Sequence, residues 1–401
     1  MNDQQHPMKS KKILYFFPLN PLHSNAGSVT RARGILTYFK SRGYTVDFVN
    51  SDDEWGRELT LEDRNKLVFE GLARASYGLS RNPPLKNIFG YLRYLIPALF
   101  LRKLLKYGTS TLNDYNNFNR RKQFNTILKR DKYDYIIISY AYWANLIKGN
   151  SFVSHARLII DTHDWLTAQD QSRKRFEIGR GFSDEIERLN LFDEIWTVSS
   201  DEQYVFEQFC RKPVHLIPIG FESNLSSGVQ KGNSNIHFDA IYVASDNMHN
   251  IKACNWFFRY VYPSLPKEIS FCIIGTINKY VPDLPNVTKV EYVEDLNDYY
   301  YRSKLAICPM LSGTGVKIKV IEALSYGLPV VCNRRGVDGL VNKTENGCVV
   351  TDDGDDFSRL ILRLLRDSEF YEHVRNDGQL YFNRHHSIEA VYQNLDNRFA
   401  Y

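Results

Sequence analysis

One stretch restricts this chain more than any other: Ser312-Gly-Thr-Gly-Val-Lys-Ile-Lys-Val-Ile-Glu-Ala-Leu-Ser-Tyr-Gly-Leu-Pro-Val-Val331. Gly313 and Gly315 allow backbone angles and close approaches that a side chain forbids. The residues after them predict a helix from about Val316 to Tyr326. Gly327 stands at the usual C-terminal position, and Pro329 cannot continue the helix. Leu328 to Cys332 then reads as a short buried strand. The helix begins beside the glycines, so its free N–H groups and the positive end of its dipole point into the loop. A phosphate fits there. Lys317 and Lys319 fall in the first turn, where a cation opposes the dipole; two lysines there make sense beside an anion. Glu322, among Val320, Ile321, Ala323 and Leu324, reads on its own as an i,i+3 partner of Lys319.

With its Ala-Leu-x-x-Gly-x-Pro-Val-Val continuation, the stretch resembles the donor-site signature of GT-B glycosyltransferases of family 4 (glycosyl transferases group 1). The resemblance implies an α/β fold of GT-B type, with two Rossmann-like domains whose parallel sheets face an interdomain cleft. It implies that Glu322 holds the ribose hydroxyls of a nucleotide sugar. The loop Gly313, Thr314, Gly315 and Val316, with Lys317 and Lys319, would hold the phosphates, Lys319 also stabilising the leaving diphosphate during catalysis. Many members carry a second glutamate eight positions before the first, against the sugar ring; here that position is Thr314. The Gly-x-Gly-x-Lys-x-Lys form resembles a subgroup that makes surface polysaccharide. The implied reaction moves a glycosyl group to an acceptor hydroxyl, with retention and without metal or cofactor.

Along the chain, Lys12 to Phe17, a helix at about Val29 to Ser41, and Thr45 to Val49 form a β-loop-α-β unit. It lacks Gly-x-Gly-x-x-Gly, which counts against a dinucleotide oxidoreductase. Gly27 is either a turn glycine or a point of approach for the diphosphate, and Arg31 and Arg33 face either that site or solvent. Residues 51–130 fit the alternation poorly and read as an insertion. No acidic residue occurs from Arg81 to Leu112, and 85–106 is apolar and basic. It is either a helical hairpin broken near Pro97 or a surface lying on anionic lipid.

Strands follow at Tyr135–Ser139, Arg157–Asp161, Glu194–Val198 and Val214–Ile219. Asp161-Thr-His-Asp-Trp165 ends the second of these, where open α/β sheets place their sites. The resemblance gives His163, and more weakly Asp164, a catalytic place near the donor sugar; otherwise His163 caps a helix. Asp184, Glu185 and Glu187 read as a solvated, favourably charged helix turn. The polar stretch 226–235 reads as a linker.

A second alternating series runs Phe238–Val243, Ser270–Ile274, Val287–Tyr292, Lys304–Cys308, Pro329–Cys332 and Gly347–Val350, which right-handed crossovers turn into a second parallel sheet. Asn247 and Asn250 in Ala244-Ser-Asp-Asn-Met-His-Asn250, and Gly275, stand at strand ends where a donor would lie. The resemblance adds Val293 as the backbone holder of the base. It also has a final helix, about 386–401, crossing back onto the first domain. The expected domains are 1–222 and 236–385.

The 401 residues allow two domains with separate cores. A net charge of +5 is too mild to argue for nucleic acid. The six cysteines lack metal-site spacing and several sit in apolar runs, as small buried hydrophobes do. Met1 to Lys12 lacks an apolar signal core, and no apolar run is long enough to span a bilayer. The expected setting is cytoplasmic, at or near the inner face of the membrane. Expected partners are a nucleotide-sugar donor and a glycan or lipid-linked acceptor. A sugar-nucleotide epimerase of the same fold and a catalytically silent donor-binding subunit remain as rivals.

Overall fold

The central strands are nearly unbroken apolar runs, because a parallel sheet is covered on both faces. Tyr135–Ser139 is buried at every position and Lys12–Phe16 at all but its first. The computed structural model describes residues 10–23, 27–53, 59–81, 99–100, 112–225, 237–291, 293 and 295–399. The chain divides into two compact units, Met1–Thr197 with Glu202–Leu216, and Val198–Asp201 with Ile217–Tyr401.

In the first unit, β1 (Lys12–Phe16), β2 (Thr45–Ser51), β3 (Ala75–Leu79), β4 (Tyr135–Ser139), β5 (Arg157–Asp161), β6 (Glu194–Thr197) and β7 (Val214–Leu216) make one sheet. Its order is β3-β2-β1-β4-β5-β6-β7 and every neighbouring pair is parallel. The 51–130 stretch therefore does continue the alternation in part. A helix Leu61–Phe69 leads into β3, which lies on β2 at the sheet edge. The sequence hid this because β3, Ala-Ser-Tyr-Gly-Leu, is mostly half-buried and carries no apolar run. The helix is set by a capping box, Thr60 accepting from the Asp63 N–H while Asp63 accepts from the Thr60 N–H. The 85–106 segment and the 226–235 linker fall outside the described residues, apart from Leu99 and Phe100.

In the second unit, β8 (Phe238–Val243), β9 (Phe271–Ile274), β10 (Val287–Val290), β11 (Ser303–Cys308), β12 (Val330–Cys332) and β13 (Cys348–Val350) form a six-stranded parallel sheet of order β10-β9-β8-β11-β12-β13. That is the strand order of the dinucleotide-binding α/β fold. Two apolar clusters cover its faces. One contains Ile241, Cys308, Val320, Ile321 and Leu324, the other Tyr242, Phe257, Ile273 and Phe357. Cys254, Cys272, Cys308 and Cys332 are buried thiols, as their apolar surroundings in the sequence suggested. The final helix, Ile388–Phe399, belongs to the second unit, where Ser387 bridges to Phe221.

The chain order reverses between β1 and β4 and again between β8 and β11. Each reversal opens a crevice at the strands' carboxyl ends, because the helices on either side leave in opposite directions. Gly275 closes β9 tightly against the end of β8. Its φ is +114°, and a Cβ there would lie 2.2 Å from the Ala244 carbonyl oxygen. Gly275→Ala is expected to cost about 1–3 kcal/mol, the scale of a forced backbone conformation; denaturant unfolding checks it.

Candidate functional site

The loop after β11 is where the two crevice walls meet. The helix behind it runs Ile318–Ser325, shorter than the sequence suggested, with Lys317 at its N-cap. Val320, Ile321 and Leu324 turn its apolar face to the core, and Gly327, at φ +70°, ends it. Gly313 and Gly315 have φ of +96° and +76°, so the loop bends through angles that other residues resist.

Lys317, 7% exposed, folds back and donates to the Gly315 carbonyl at 2.6 Å. Lys319, in the first turn, donates to Asn250 Oδ1 at 2.9 Å and stands 5.0 Å above the Tyr242 ring. It thus spans the crevice from the β11 side to the β8 side. The i,i+3 ion pair with Glu322 is absent, because Lys319 is spent on Asn250. Neither ammonium pairs with a carboxylate among the described residues, and burial pushes both below the ordinary lysine value.

The opposite wall is built to hold this arrangement. Asn247 caps the helix Met248–Trp256 by accepting from the Asn250 N–H. Asn250, 4% exposed, donates to the Ser245 carbonyl, which turns its Oδ1 to Lys319. His249 Nδ1 lies 2.9 Å from Ser312 Oγ, and its ring lies against Gly313, where a Cβ would be 3.4 Å from it. Glu322 accepts from the Tyr300 hydroxyl at 3.0 Å, and burial raises its carboxyl above the usual range. Tyr300 in turn stacks on Tyr326, 4.6 Å between rings.

Thr314 is exposed and Val316 is half-buried against the core. Val293 packs half-buried on the same core just beyond β10. Gly275 closes β9 beside Ala244, as described above. The structure therefore gathers Asn247, Asn250, Gly313, Gly315, Lys317 and Lys319 around one crevice. His249, Tyr242 and Tyr300 were not legible as participants, since a lone histidine and two strand or helix tyrosines carry no pattern.

In the first unit, Gly27 opens the helix Gly27–Ser41, and Arg31 on that helix reaches β5. Its guanidinium makes a two-pronged contact with Asp161 Oδ1, 2.9 Å from Nε and 2.7 Å from Nη2. Arg31 thus faces inward, at 3% exposure. His163 Nε2 lies 3.0 Å from Asp161 Oδ2, at ion-pair distance but outside hydrogen-bond geometry. The buried Nδ1 on the other side of the ring has no hydrogen-bond partner among the described residues. The imidazole is enclosed, stacked on Tyr140 at 4.5 Å and tilted against Phe17 at 5.4 Å. Both His163 and Tyr140 hold positive φ, +59° and +65°. Two strained bulky residues stacked at adjacent strand ends persist only where the surroundings over-determine them.

Burial lowers the His163 pKa, against the raising effect of Asp161. Asp161 is itself held well below the usual carboxylate range: Arg31 foremost, then His163, overcome its burial. Asp164, half-buried one residue on, is pushed up to about 8 by burial and then by Glu202 and Glu185. Glu185 corrects the sequence reading. It is 1% exposed, not solvated, and accepts from the Leu166 and Thr167 N–H groups and the Thr167 hydroxyl. The helix Ile178–Leu189 starts earlier than expected, which turns this carboxylate inward to cap the neighbouring helix.

Residues 238–367 match the family model described as glycosyl transferases group 1. That match covers the second unit's sheet and the loop just described. No curated protein sequence matches the chain. Among solved structures, sucrose-phosphate synthase from Thermosynechococcus elongatus is similar at TM-score 0.70, with 16% identity over 97% of this chain and 98% of that one. Anabaena HepE in complex with UDP-glucose is similar at TM-score 0.65, with 13% identity over 97% and 99%. S. aureus TarM, in a complex with UDP, alpha-GlcNAc-glycerol and fondaparinux, is similar at TM-score 0.61, with 12% identity over 98% and 100%. The two parallel sheets are those of the GT-B glycosyltransferase fold.

Asp161→Ala strands Arg31 without its carboxylate and is expected to cost about 3–5 kcal/mol in denaturant unfolding. Joint replacement of Arg31 and Asp161 by leucine should cost less than the single change. For Asp164 the sign is opposite to the usual acid. Its folded pKa is raised, so its favourable contribution is complete below the ordinary value of 3.8 and disappears as pH rises toward about 8. Asp164→Asn should therefore melt higher than the parent at pH 8, with the gap closing toward pH 4.

Proposed function

We propose that this chain is a glycosyltransferase that moves a sugar from a nucleotide-sugar donor to the hydroxyl of a glycan or lipid-linked acceptor, in synthesis of a cell-surface polysaccharide or other glycoconjugate. The observation that carries the reading is the pair Lys317 and Lys319. Two ammonium groups sit in a crevice at a helix N-terminus, bonded only to neutral oxygens among the described residues. A buried cation without a counter-ion is costly, and a diphosphate entering the loop supplies the missing charge.

The roles follow from position. Loop N–H groups at Gly313 to Val316 and the two lysines bind the diphosphate and stabilise it as it leaves. The ammonium groups supply the charge needed, so the proposed reaction uses no metal in that role. Glu322 accepts from ribose hydroxyls, as the resemblance implies, and Tyr300 orients its carboxylate. The base is held at the backbone of Val293, as the resemblance implies. His163, held beside Asp161, is placed near the sugar or acceptor hydroxyl, as the resemblance implies. Asp164 is the neighbouring group able to hold a proton near neutral pH.

Support for the reading is the family match over 238–367 and the fold shared with proteins whose structures hold UDP or UDP-glucose. Retention of configuration and a place at the inner face of the cytoplasmic membrane belong to the proposal. Among the described residues no helix is long and apolar enough to cross a membrane.

The exposed Thr314, where the resembling family often has a glutamate, favours one alternative: a subunit that binds donor without turning it over. A melting-shift panel of nucleotide sugars and free nucleotides tests both, with UDP-sugars first. A selective shift is expected, and Lys319→Ala should abolish it. Glu322→Ala should weaken donor binding by about 1–3 kcal/mol, the scale of a lost hydrogen bond in a buried polar site. An unchanged affinity in Glu322→Ala would remove its role. Donor binding with no hydrolysis or transfer in any acceptor mixture would favour the silent subunit.

A further inference from the structure

We propose that a groove on the first unit, apart from the residues described above, binds an acidic oligosaccharide. The groove encloses about 450 Å³ between the helix Phe118–Leu128 and the Gly149–Phe152 segment that connects β4 to β5. That volume lies within the range of ligand sites. Phe118, Arg121, Lys122, Asn125, Thr126 and Lys129 line it, which is one helix face repeated at i, i+3, i+4, i+7, i+8 and i+11. The face is about 16 Å long at 1.5 Å per residue, so it suits an extended ligand better than a single small ion.

The chemistry of the lining is one-sided. Among the described residues it contains three cations and no aspartate or glutamate. Arg121, 7% exposed, donates to the Asn145 and Lys148 carbonyls and so is fixed in the wall. Asn150, 8% exposed, donates to Asn125 Oδ1 at 2.7 Å, which ties the two walls of the groove together. Lys122 and Lys129 form no ion pair among the described residues, and the Lys129 ammonium rests 4.9 Å from the Phe152 ring centre.

Such a wall offers donors in excess and asks for a ligand rich in acceptors. The charges select carboxylates or sulfates. Phe152, 36% exposed, offers a flat apolar surface for the C–H faces of sugar rings. A membrane surface is a poorer fit, because the cations line a recess and do not project from a convex face. Nothing in the groove is shared with the crevice that contains Lys319, so occupation here is a second binding event. It deepens the proposed function by giving the acceptor, or the growing product, an acidic character.

The test is calorimetric titration of the full chain with a hexagalacturonate. A neutral glucose hexasaccharide, inorganic phosphate and phosphatidylglycerol vesicles serve as comparison probes. Saturable binding of the oligouronate alone, weakened by salt, is expected. Lys122→Ala with Lys129→Ala should lower the affinity roughly tenfold, as removal of two exposed charge contacts would. Both lysines are exposed, so the variant should retain its fold, and its melting temperature is measured alongside. Equal affinity in parent and variant overturns the proposal, as does equal binding of the neutral hexasaccharide. Binding to vesicles or phosphate but not to the oligouronate overturns it in favour of a lipid or simple anion site. The nucleotide-sugar melting shift, run on the same variant, should be unchanged. Its absence from the parent would count against the glycosyltransferase reading while leaving the groove result intact.

Discussion

Two lysine ammonium groups held in a crevice by neutral oxygens are the constraint around which the second unit is arranged. Lys319 needs Asn250 Oδ1 at 2.9 Å, and Asn250 needs both its cap from Asn247 and its bond to Ser245 to point that way. Lys317 needs the Gly313 and Gly315 carbonyls, which needs the left-handed backbone at those glycines. Each element is thus placed by another, and the anion that would relieve the charge is the one group the chain does not supply. Pre-organisation of this kind suits a site that must stabilise charge appearing during a reaction, because no dipole has to turn at that moment.

The first unit solves a related problem in a different way. Arg31, Asp161 and His163 compensate one another internally, with burial near complete. Buried pairs of this type rarely add net stability over apolar packing, but they resist disruption and fix geometry. Here they fix an imidazole whose Nδ1 is left over, beside a tyrosine with an equally strained backbone. The two units share an architecture and a switch-point crevice, yet one leaves its cations uncompensated and the other closes its charges on themselves.

Much of the fold was legible because parallel strands are buried on both faces and so announce themselves as apolar runs. β4 and β5 fall where the sequence placed them, and β8 to β13 lie within a residue or two. β3 escaped notice, since an edge strand needs apolar residues on little of its surface. Glu185 was misjudged for a similar reason: a carboxylate in a charged helix reads as solvated unless the helix start is known. At the crevice, the glycine loop and its lysines could be read from spacing alone, whereas Tyr300 beneath Glu322 and His249 beside Ser312 could not.

The sequence by itself determined the local conformations: the loop, the helix it begins, the strands and the residue types that would greet an anion. These depend on neighbours a few positions apart, through backbone freedom, helix periodicity and burial pattern. Only the tertiary structure decided the partners. Lys319 is next to Glu322 on the helix but bonds Asn250, 69 positions away, and Arg31 faces inward because Asp161 stands 130 positions on at the end of β5. Strand order creates those meetings, and strand order is a property of the whole sheet that no local pattern encodes.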